Sequence, residues 1–136
     1  MRLLIATATA AAIAAAAGSA AGFAAGPAAI APADTTFPPA VVALGDSIFH
    51  GIAAGGLCFT CHGPRAKGIP SLGPDLTDAQ WLNGDGSYEF LVKTITTGVP
   101  KPKQAATPML PMGGVNLSAA QVRAVAAYVY TLRPKR

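Results

Sequence analysis

The residues with the clearest chemistry stand together in one short stretch, Cys58-Phe59-Thr60-Cys61-His62. Two thiols three positions apart, followed at once by an imidazole, are what covalent haem attachment requires, because each sulfur can add to a vinyl group while the adjacent histidine reaches the iron. A bare pair of cysteines at this spacing would also fit a dithiol oxidoreductase or half of a zinc site. The histidine that follows directly favours haem.

The rest of the chain gives the zinc and dithiol interpretations little support. Beyond this motif the sequence contains no further cysteine and one further histidine, His50, so a zinc site would need an irregular ligand set. A dithiol enzyme would be expected within a βαβ pattern, and no such pattern follows the motif. Both sulfurs are therefore expected to be consumed by haem rather than by a disulfide.

The beginning of the sequence differs in composition from the rest. Arg2 and a short apolar run precede an alanine-rich stretch and then small residues, which is the order of a secretory signal. Gly18, Gly22 and Pro27 interrupt this stretch before it reaches the roughly 20 apolar residues that a membrane span needs. We predict a signal peptide over residues 1–25, periplasmic export and no stable span after its removal. A retained N-terminal anchor, with membrane association, is the alternative.

Composition also divides the remainder. Residues 26–39 are rich in Pro and Ala without hydrophobic periodicity, which predicts a linker; a single domain is predicted over 40–133 and a basic tail over 134–136.

The chain has 10 Lys and Arg against 6 Asp and Glu, a balance that suits an acidic protein partner. No basic stripe with interleaved aromatic residues is present, so nucleic acid is not an expected partner.

Three segments have the spacing of apolar residues that predicts amphipathic helices. They cover residues 40–54, 87–96 and 118–132. Ser87 is the expected N-cap of the second segment, and Ser118 forms a predicted capping box with Gln121 at the start of the third. A short helical turn is also predicted over residues 77–82, with Thr77 as its cap. Loops rich in Pro and Gly connect these segments.

Two of those loops carry side chains that suit a haem site. Pro74 offers a carbonyl at a fixed φ, as needed to hold the second nitrogen of an axial histidine; a plain loop proline is the alternative. Met109 and Met112 lie within or just after the proline-stiffened loop 99–111, and a low-spin haem opposite a histidine needs a soft sixth ligand. Trp81 could hydrogen-bond a haem propionate or simply close the core.

With these residues in place, the chain from about residue 40 to 132 resembles the class I c-type cytochromes, the small monohaem electron carriers of the bacterial periplasm. Cys58-Phe59-Thr60-Cys61-His62 matches the family's haem-attachment motif. Gly73-Pro74-Asp75-Leu76 is similar to its Gly-Pro-x-Leu segment. Met109-Leu110-Pro111-Met112-Gly113-Gly114 is similar to its Met-Pro-Pro-x-Gly-Gly loop, with Leu110 in place of a proline.

The resemblance implies an all-α cytochrome c fold, with three to four helices and loops wrapped around one covalently bound haem c. The first and last helices would cross where Gly45 and Phe49 meet Val125 and Tyr128. The implied site consists of Cys58 and Cys61 as thioether positions, His62 and Met109 as axial ligands, and Pro74 and Leu76 as haem surroundings. Trp81 joins these haem surroundings on the strength of its own side chain. Met112 and His50 are the competing candidates for the sixth position.

The implied function is outer-sphere transfer of single electrons by a carrier that is not an enzyme. Electrons would leave at the haem edge near residues 58–61, ringed by Arg65, Lys67, Lys101 and Lys103, which would steer redox proteins with acidic docking surfaces. Two alternatives stay open. One is a haem subunit of a larger dehydrogenase or oxidase, and the other is a haem protein that binds small ligands by displacing its methionine.

Overall fold

The computed structural model describes residues 36–134. Its helices are α1 (Pro39–Phe49), α2 (Phe59–His62), α3 (Tyr88–Thr97) and α4 (Ala119–Leu132), with a 3-10 helix at Pro111–Gly114 before α4. Extended pairing in this part of the chain is limited to two isolated antiparallel bridges, Ile69 with Gly73 and Val99 with Met109. The expected all-α fold class is confirmed.

The predicted leader, most of the predicted linker and the last two residues lie outside the described range 36–134. The predictions made for them therefore stay predictions. Within that range, no helix combines the length and the apolar character needed to cross a membrane.

The first and last helices cross at a glycine. A Cβ atom on Gly45 would collide with the backbone carbonyl of Ala124 and would stand 2.8 Å from Cβ of Tyr128. Phe49, one turn further along α1, is 1% exposed, and its ring centroid lies 5.4 Å from that of Tyr128. Val125 of α4 is buried beside this contact. The expected crossing of α1 and α4 is confirmed, because only a residue without a side chain permits this approach.

The predicted caps of α3 and α4 form. The N–H of Gln121 donates to Oγ of Ser118 at 3.3 Å, and the N–H of Ser118 donates to Oε1 of Gln121 at 2.8 Å, which completes the capping box. At the start of α3, Oγ of Ser87 accepts from the N–H of Phe90 at 3.1 Å. Both helices thereby begin at fixed points, and α4 packs against both α3 and α1.

The prediction for the end of the first helix was wrong. α1 ends at Phe49 rather than continuing to residue 54, and the chain turns at Gly51, whose φ is +77°. Ile52, which the periodicity placed on the buried face, is 81% exposed. The periodicity of apolar residues thus extended beyond the helix that it indicated.

The predicted helical turn over residues 77–82 was also wrong. Oδ1 of Asp75 accepts both the N–H of Thr77 at 2.6 Å and its Oγ1–H at 2.7 Å. Thr77 is therefore bound back to the preceding residues instead of capping a helix, as aspartate often arranges in turns. These hydrogen bonds, with the nearby charge of Lys67, lower the pKa of Asp75.

Candidate functional site

A cleft of about 240 Å³ lies between two loop regions of the described chain. We call residues 57–76 the His62 wall and residues 98–114 the Met109 wall. Helices α3 and α4 close the back of the cleft. The apolar side chains that line it include Phe49, Leu76, Trp81, Leu82, Phe90, Leu91, Ile95, Val99, Val125 and Val129.

The His62 wall holds the imidazole in one orientation. His62 is in α2, a four-residue helix over the attachment motif that the sequence analysis did not predict. Its Nδ1 lies 3.0 Å from the carbonyl oxygen of Pro74, so Nδ1–H donates and Nε2 keeps its lone pair. Burial lowers the pKa of His62, against the opposing effect of the Pro74 hydrogen bond. The ring is thus prepared as a neutral ligand to a metal.

Backbone hydrogen bonds bind the His62 wall to itself. The N–H of Gly68 donates to the carbonyl of His62 at 2.8 Å, and the N–H of Leu76 donates to the carbonyl of Ala66 at 2.8 Å. Gly73 is packed directly beneath the imidazole, where an added Cβ would lie 3.2 Å from Nδ1 of His62. The segment that carries Pro74 is therefore held in place from two sides.

The two cysteines line the same cleft and form no disulfide with each other. Both are half-buried, and burial raises the pKa of the Cys58 thiol. Among the described residues, no three His, Cys, Asp or Glu side chains converge in a way that could hold a metal ion. The ligand set that a zinc site would need is therefore not assembled around Cys58 and Cys61 in this part of the chain.

The Met109 wall brings one of the two candidate methionines to the cleft. Met109 lines it, and two backbone hydrogen bonds with Val99, of 2.8 and 3.1 Å, fix its position. Met112 adopts a left-handed backbone conformation, φ 53° and ψ 24°, and packs against the hydrophobic core. A further bond, from the N–H of Ala106 to the carbonyl of Ser71 at 2.9 Å, joins the two walls.

His50, the other rival ligand, is engaged elsewhere. Its Nδ1 lies 3.0 Å from the carbonyl oxygen of Asp46, and its Nε2 lies 2.8 Å from the carbonyl oxygen of Pro64. Both ring nitrogens thus face oxygen atoms. The residues that line the cleft do not include His50.

The remaining expected haem neighbours also reach the cleft. Leu76 and Trp81 are half-buried and line it. Trp81 meets Phe90 edge to face, with 6.4 Å between the ring centroids, and Gly86 lies against the edge of the indole, where a Cβ would collide with it. Trp81 therefore closes the core, and its polar edge remains a candidate partner for a propionate.

Three leucines at the mouth of the cleft were missed by the sequence analysis. Leu57, Leu72 and Leu110 line the cleft, yet they are 48%, 40% and 59% exposed. We call them the leucine rim. Each is an isolated apolar residue in a loop or turn, without a period that could distinguish an exposed position from a core position. The available signal was proximity to a motif: Leu57 and Leu72 each directly precede one, and Leu110 lies within the methionine motif.

The four expected basic residues are distributed unequally. Lys103 lines the cleft, and Lys101 is exposed nearby in the sequence. Lys67 hydrogen-bonds to Thr77 and lies 3.8 Å from Asp75. Arg65 is exposed in the loop after α2.

The donor set and the lining together fit haem c. Two thiols and an oriented neutral imidazole stand on one wall, a thioether on the other, and apolar rings and branched side chains lie between them. Thioether formation, axial ligation of iron and burial of a porphyrin need these three groups of residues.

The comparisons with known proteins agree with this site. The sequence model of the family described as cytochrome c matches residues 42–133. The cbb3-type cytochrome c oxidase subunit CcoP of Rhodobacter capsulatus is 44% identical over 80 residues, covering 55% of this chain and 25% of that protein. Subunit FixP of the cbb3-type oxidase of Azorhizobium caulinodans is 40% identical over 76 residues, covering 55% and 23%. The chain thus spans about a quarter of the length of these curated relatives.

Among solved structures, cytochrome cL of Methylophaga aminisulfidivorans superposes with a TM-score of 0.51 at 25% sequence identity, covering 67% of this chain and 52% of that chain. Fold, cleft chemistry and sequence match therefore agree. The chain belongs to the cytochrome c family, with covalently bound haem c as its cofactor.

Proposed function

We propose that this protein carries single electrons between periplasmic or membrane-bound redox partners. The observation that carries the proposal is the placement of His62 on one wall of the cleft and Met109 on the other. If His62 and Met109 both bound the iron of a haem held in the cleft, no iron position would remain for a substrate, which supports outer-sphere transfer rather than catalysis. The leader-like residues 1–25 support the periplasm as its compartment.

Each site residue has one task in this proposal. Cys58 and Cys61 attach the haem, which supplies a one-electron Fe(III)/Fe(II) couple when bound. The carbonyl of Pro74, 3.0 Å from Nδ1 of His62, keeps the imidazole in one tautomer and orientation. The neutral thioether of Met109 and the apolar lining favour the reduced iron, and they predict a fairly high reduction potential.

The mouth of the cleft supplies the docking surface. The leucine rim would contact an apolar centre on the partner, and Lys103 with Lys101 would face its acidic groups. Charged residues at a rim raise the association rate more than the affinity, so the complexes would form quickly and dissociate quickly. Electrons would leave near residues 58–61, where Leu57 borders the cleft.

A second candidate is a haem subunit of a larger oxidase. It is favoured by the relatives of 44% and 40% identity whose names assign them to cbb3-type oxidases. Separation of native membranes from periplasm distinguishes the two. A carrier would be recovered alone from the periplasmic fraction, whereas a subunit would copurify with the other oxidase subunits after detergent extraction.

Optical spectra of the haem-loaded protein test the axial ligands. We expect the oxidised wild type to show the near-infrared charge-transfer band of methionine-bound Fe(III), and the reduced wild type to bind CO slowly. Met109→Ala should abolish the band and permit rapid CO binding, because it removes the sixth ligand. Met112→Ala is the matched control: it should keep the band and cost about 1–2 kcal/mol of folding free energy through lost packing.

Different optical spectra of the wild type would support another function. Rapid CO binding by the reduced wild type, together with no methionine band in the oxidised form, would support a small-ligand-binding haem protein. Loss of the band in Met112→Ala but not in Met109→Ala would show that Met112 is the sixth ligand, contrary to the proposal.

A further inference from the structure

His50 joins α1 to the loop that follows the axial histidine. It is the C-cap residue of α1. Its Nε2 lies 2.8 Å from the carbonyl oxygen of Pro64, two residues after His62, and its Nδ1 lies 3.0 Å from the carbonyl oxygen of Asp46. No cofactor role accounts for this arrangement, since His50 is not among the residues that line the cleft.

This arrangement suits a charged imidazole. A neutral imidazole has one N–H, so it can donate to only one of the two carbonyls. Its other nitrogen would then point its lone pair at the lone pairs of the second carbonyl oxygen, which is repulsive. The imidazolium can donate to both carbonyls, and Oδ1 of Asp46 lies 2.9 Å from Nδ1 as a countercharge. The C-terminal end of a helix also attracts a positive charge. The pKa of His50 is raised, above all by the Pro64 hydrogen bond and against the opposing effect of desolvation.

The other groups that face His50 do not change this picture. From α4, the ring of Tyr128 lies 6.1 Å away between centroids, and burial raises its pKa to about 12, so it remains a neutral phenol at physiological pH. From the loop after α2, Arg65 follows Pro64 and is exposed to solvent. Within residues 36–134, the anionic group that lies against the ring is the carboxylate of Asp46, with Oδ1 2.9 Å from Nδ1.

A buried ring lies next to both imidazoles. The centroid of Phe49 is 5.1 Å from that of His50 and 6.4 Å from that of His62, and Phe49 is 1% exposed. Charges interact more strongly across such an apolar region than across water. A charge on His50 is therefore placed to act on an iron bound by His62, both through this region and through the Pro64 loop.

We propose that His50 is a positioning residue for His62 and the site at which a proton is taken up when the iron is reduced. Reduction takes one electron from the redox partner and, where His50 is neutral, one proton from solvent onto its imidazole. Reduction removes one positive charge from the iron, so the imidazolium is more stable in the reduced protein. The potential therefore falls as pH rises between the pKa of His50 in the oxidised protein and its higher pKa in the reduced protein.

The test is equilibrium electrochemistry of the haem-loaded protein between about pH 5 and 9. His50→Gln keeps an amide N–H for the Pro64 carbonyl but cannot titrate. We expect the reduction potential of the wild type to fall as pH rises through the titration of His50. In His50→Gln this contribution should be missing, so that the potential changes less with pH over the same range. Superimposable curves for the two proteins would overturn the proposal.

A second readout follows the proton itself. The chain has two histidines, and an iron-bound His62 does not titrate, so His50 gives the one titrating imidazole signal in NMR. Its pKa should be higher in the reduced protein than in the oxidised one. An equal pKa in both states would contradict redox coupling even if His50→Gln folds poorly.

The positioning role is tested by a third variant. His50→Leu removes both hydrogen bonds, so its potential should lie below that of His50→Gln at all pH values and the signals of its haem and axial ligand should broaden, whereas His50→Gln should keep those signals sharp. A His50→Leu protein with the potential and spectra of His50→Gln would leave His50 without a positioning role.

The proposal rests on the proposed function only because both need a haem iron that changes between Fe(III) and Fe(II). These measurements need no partner protein, so failed electron carriage and absent proton coupling are distinguishable.

Discussion

The two walls of the cleft hold their ligand residues in different ways. On the His62 wall the ring and the backbone are both bound: Nδ1 of His62 donates to Pro74, and its carbonyl accepts from Gly68. On the Met109 wall the backbone is fixed by its bridge to Val99, while the flexible thioether side chain depends on packing alone. The His62 wall is therefore the more rigid of the two, and we expect Met109 to be the ligand residue that is lost first.

Each wall nevertheless contains a glycine pressed against the ligand-bearing backbone. Gly73 touches the peptide of Cys61 and the ring of His62, and Gly98 touches the peptides of Met109 and Leu110. Substituting each glycine by alanine disturbs one wall and leaves the other intact. The two substitutions therefore measure how much each wall contributes.

Gly73→Ala should have the largest effect on haem attachment. The new Cβ would lie 2.8 Å from the carbonyl oxygen of Cys61 and 3.2 Å from Nδ1 of His62, and neither a backbone atom nor a held ring can move away easily. We expect a loss of about 2–3 kcal/mol in unfolding free energy from overpacking, with less haem attached per chain. Denaturant unfolding and haem absorbance per protein measure both.

Gly55→Ala provides the control for Gly73→Ala. Its Cβ would enter open space, so only the cost of a left-handed alanine, about 1 kcal/mol, applies at its φ of +64°. If the two variants lost equal stability and equal haem, the His62 wall would not be the rigid one.

The sequence predicted the features that depend on a few neighbouring residues. The Ser118–Gln121 capping box, the Ser87 cap and the close crossing at Gly45 follow from residue types at fixed spacing, and all three form. Side-chain directions in loops were beyond its reach. Met109 and Met112 are equivalent as residue types, and the structure distinguishes them because Met109 is among the residues that line the cleft and Met112 is not.

Tertiary contacts also overrode local periodicity. Ile52 continues the apolar spacing of α1, yet the helix stops before it because the chain must turn back and pack a glycine under the end of α1. A Cβ on Gly56 would collide with the carbonyl of Ile48. Gly51, the residue after the C-cap, was the local signal for this helix end, whereas no local pattern indicates the exposure of the leucine rim.

Gly98→Ala should act selectively on the methionine ligand and reduce haem attachment less than Gly73→Ala does. Its φ is +70°, and its Cβ would collide with the carbonyl oxygen of Met109 and lie 2.8 Å from N of Pro111. We expect the Val99 bridge to loosen, so that the methionine band weakens and CO binds faster, while the haem stays covalently attached. Near-infrared absorption and CO mixing kinetics measure the two effects.

Gly114→Ala is the matched control on the same wall. Its φ of +85° carries a similar backbone cost, but its Cβ would meet only the flexible side chain of Leu110, at 3.3 Å. An equally weakened methionine band in Gly114→Ala would mean that left-handed strain, rather than the contact with Met109, controls the ligand.

Charge reversal compares the walls at their surfaces and should have the smallest effect. Lys101→Glu with Lys103→Glu changes the Met109 wall, and Arg65→Glu with Lys67→Glu changes the His62 wall by the same net charge. Lys103 lines the cleft, whereas Lys67 is already engaged by Thr77 and Asp75. The first pair should therefore slow association with an acidic redox partner more, by about tenfold or less at low ionic strength, and the difference should shrink as salt screens the charges. Stopped-flow rates at two salt concentrations measure it, and a slowing that is equal at both would exclude electrostatic steering by this wall.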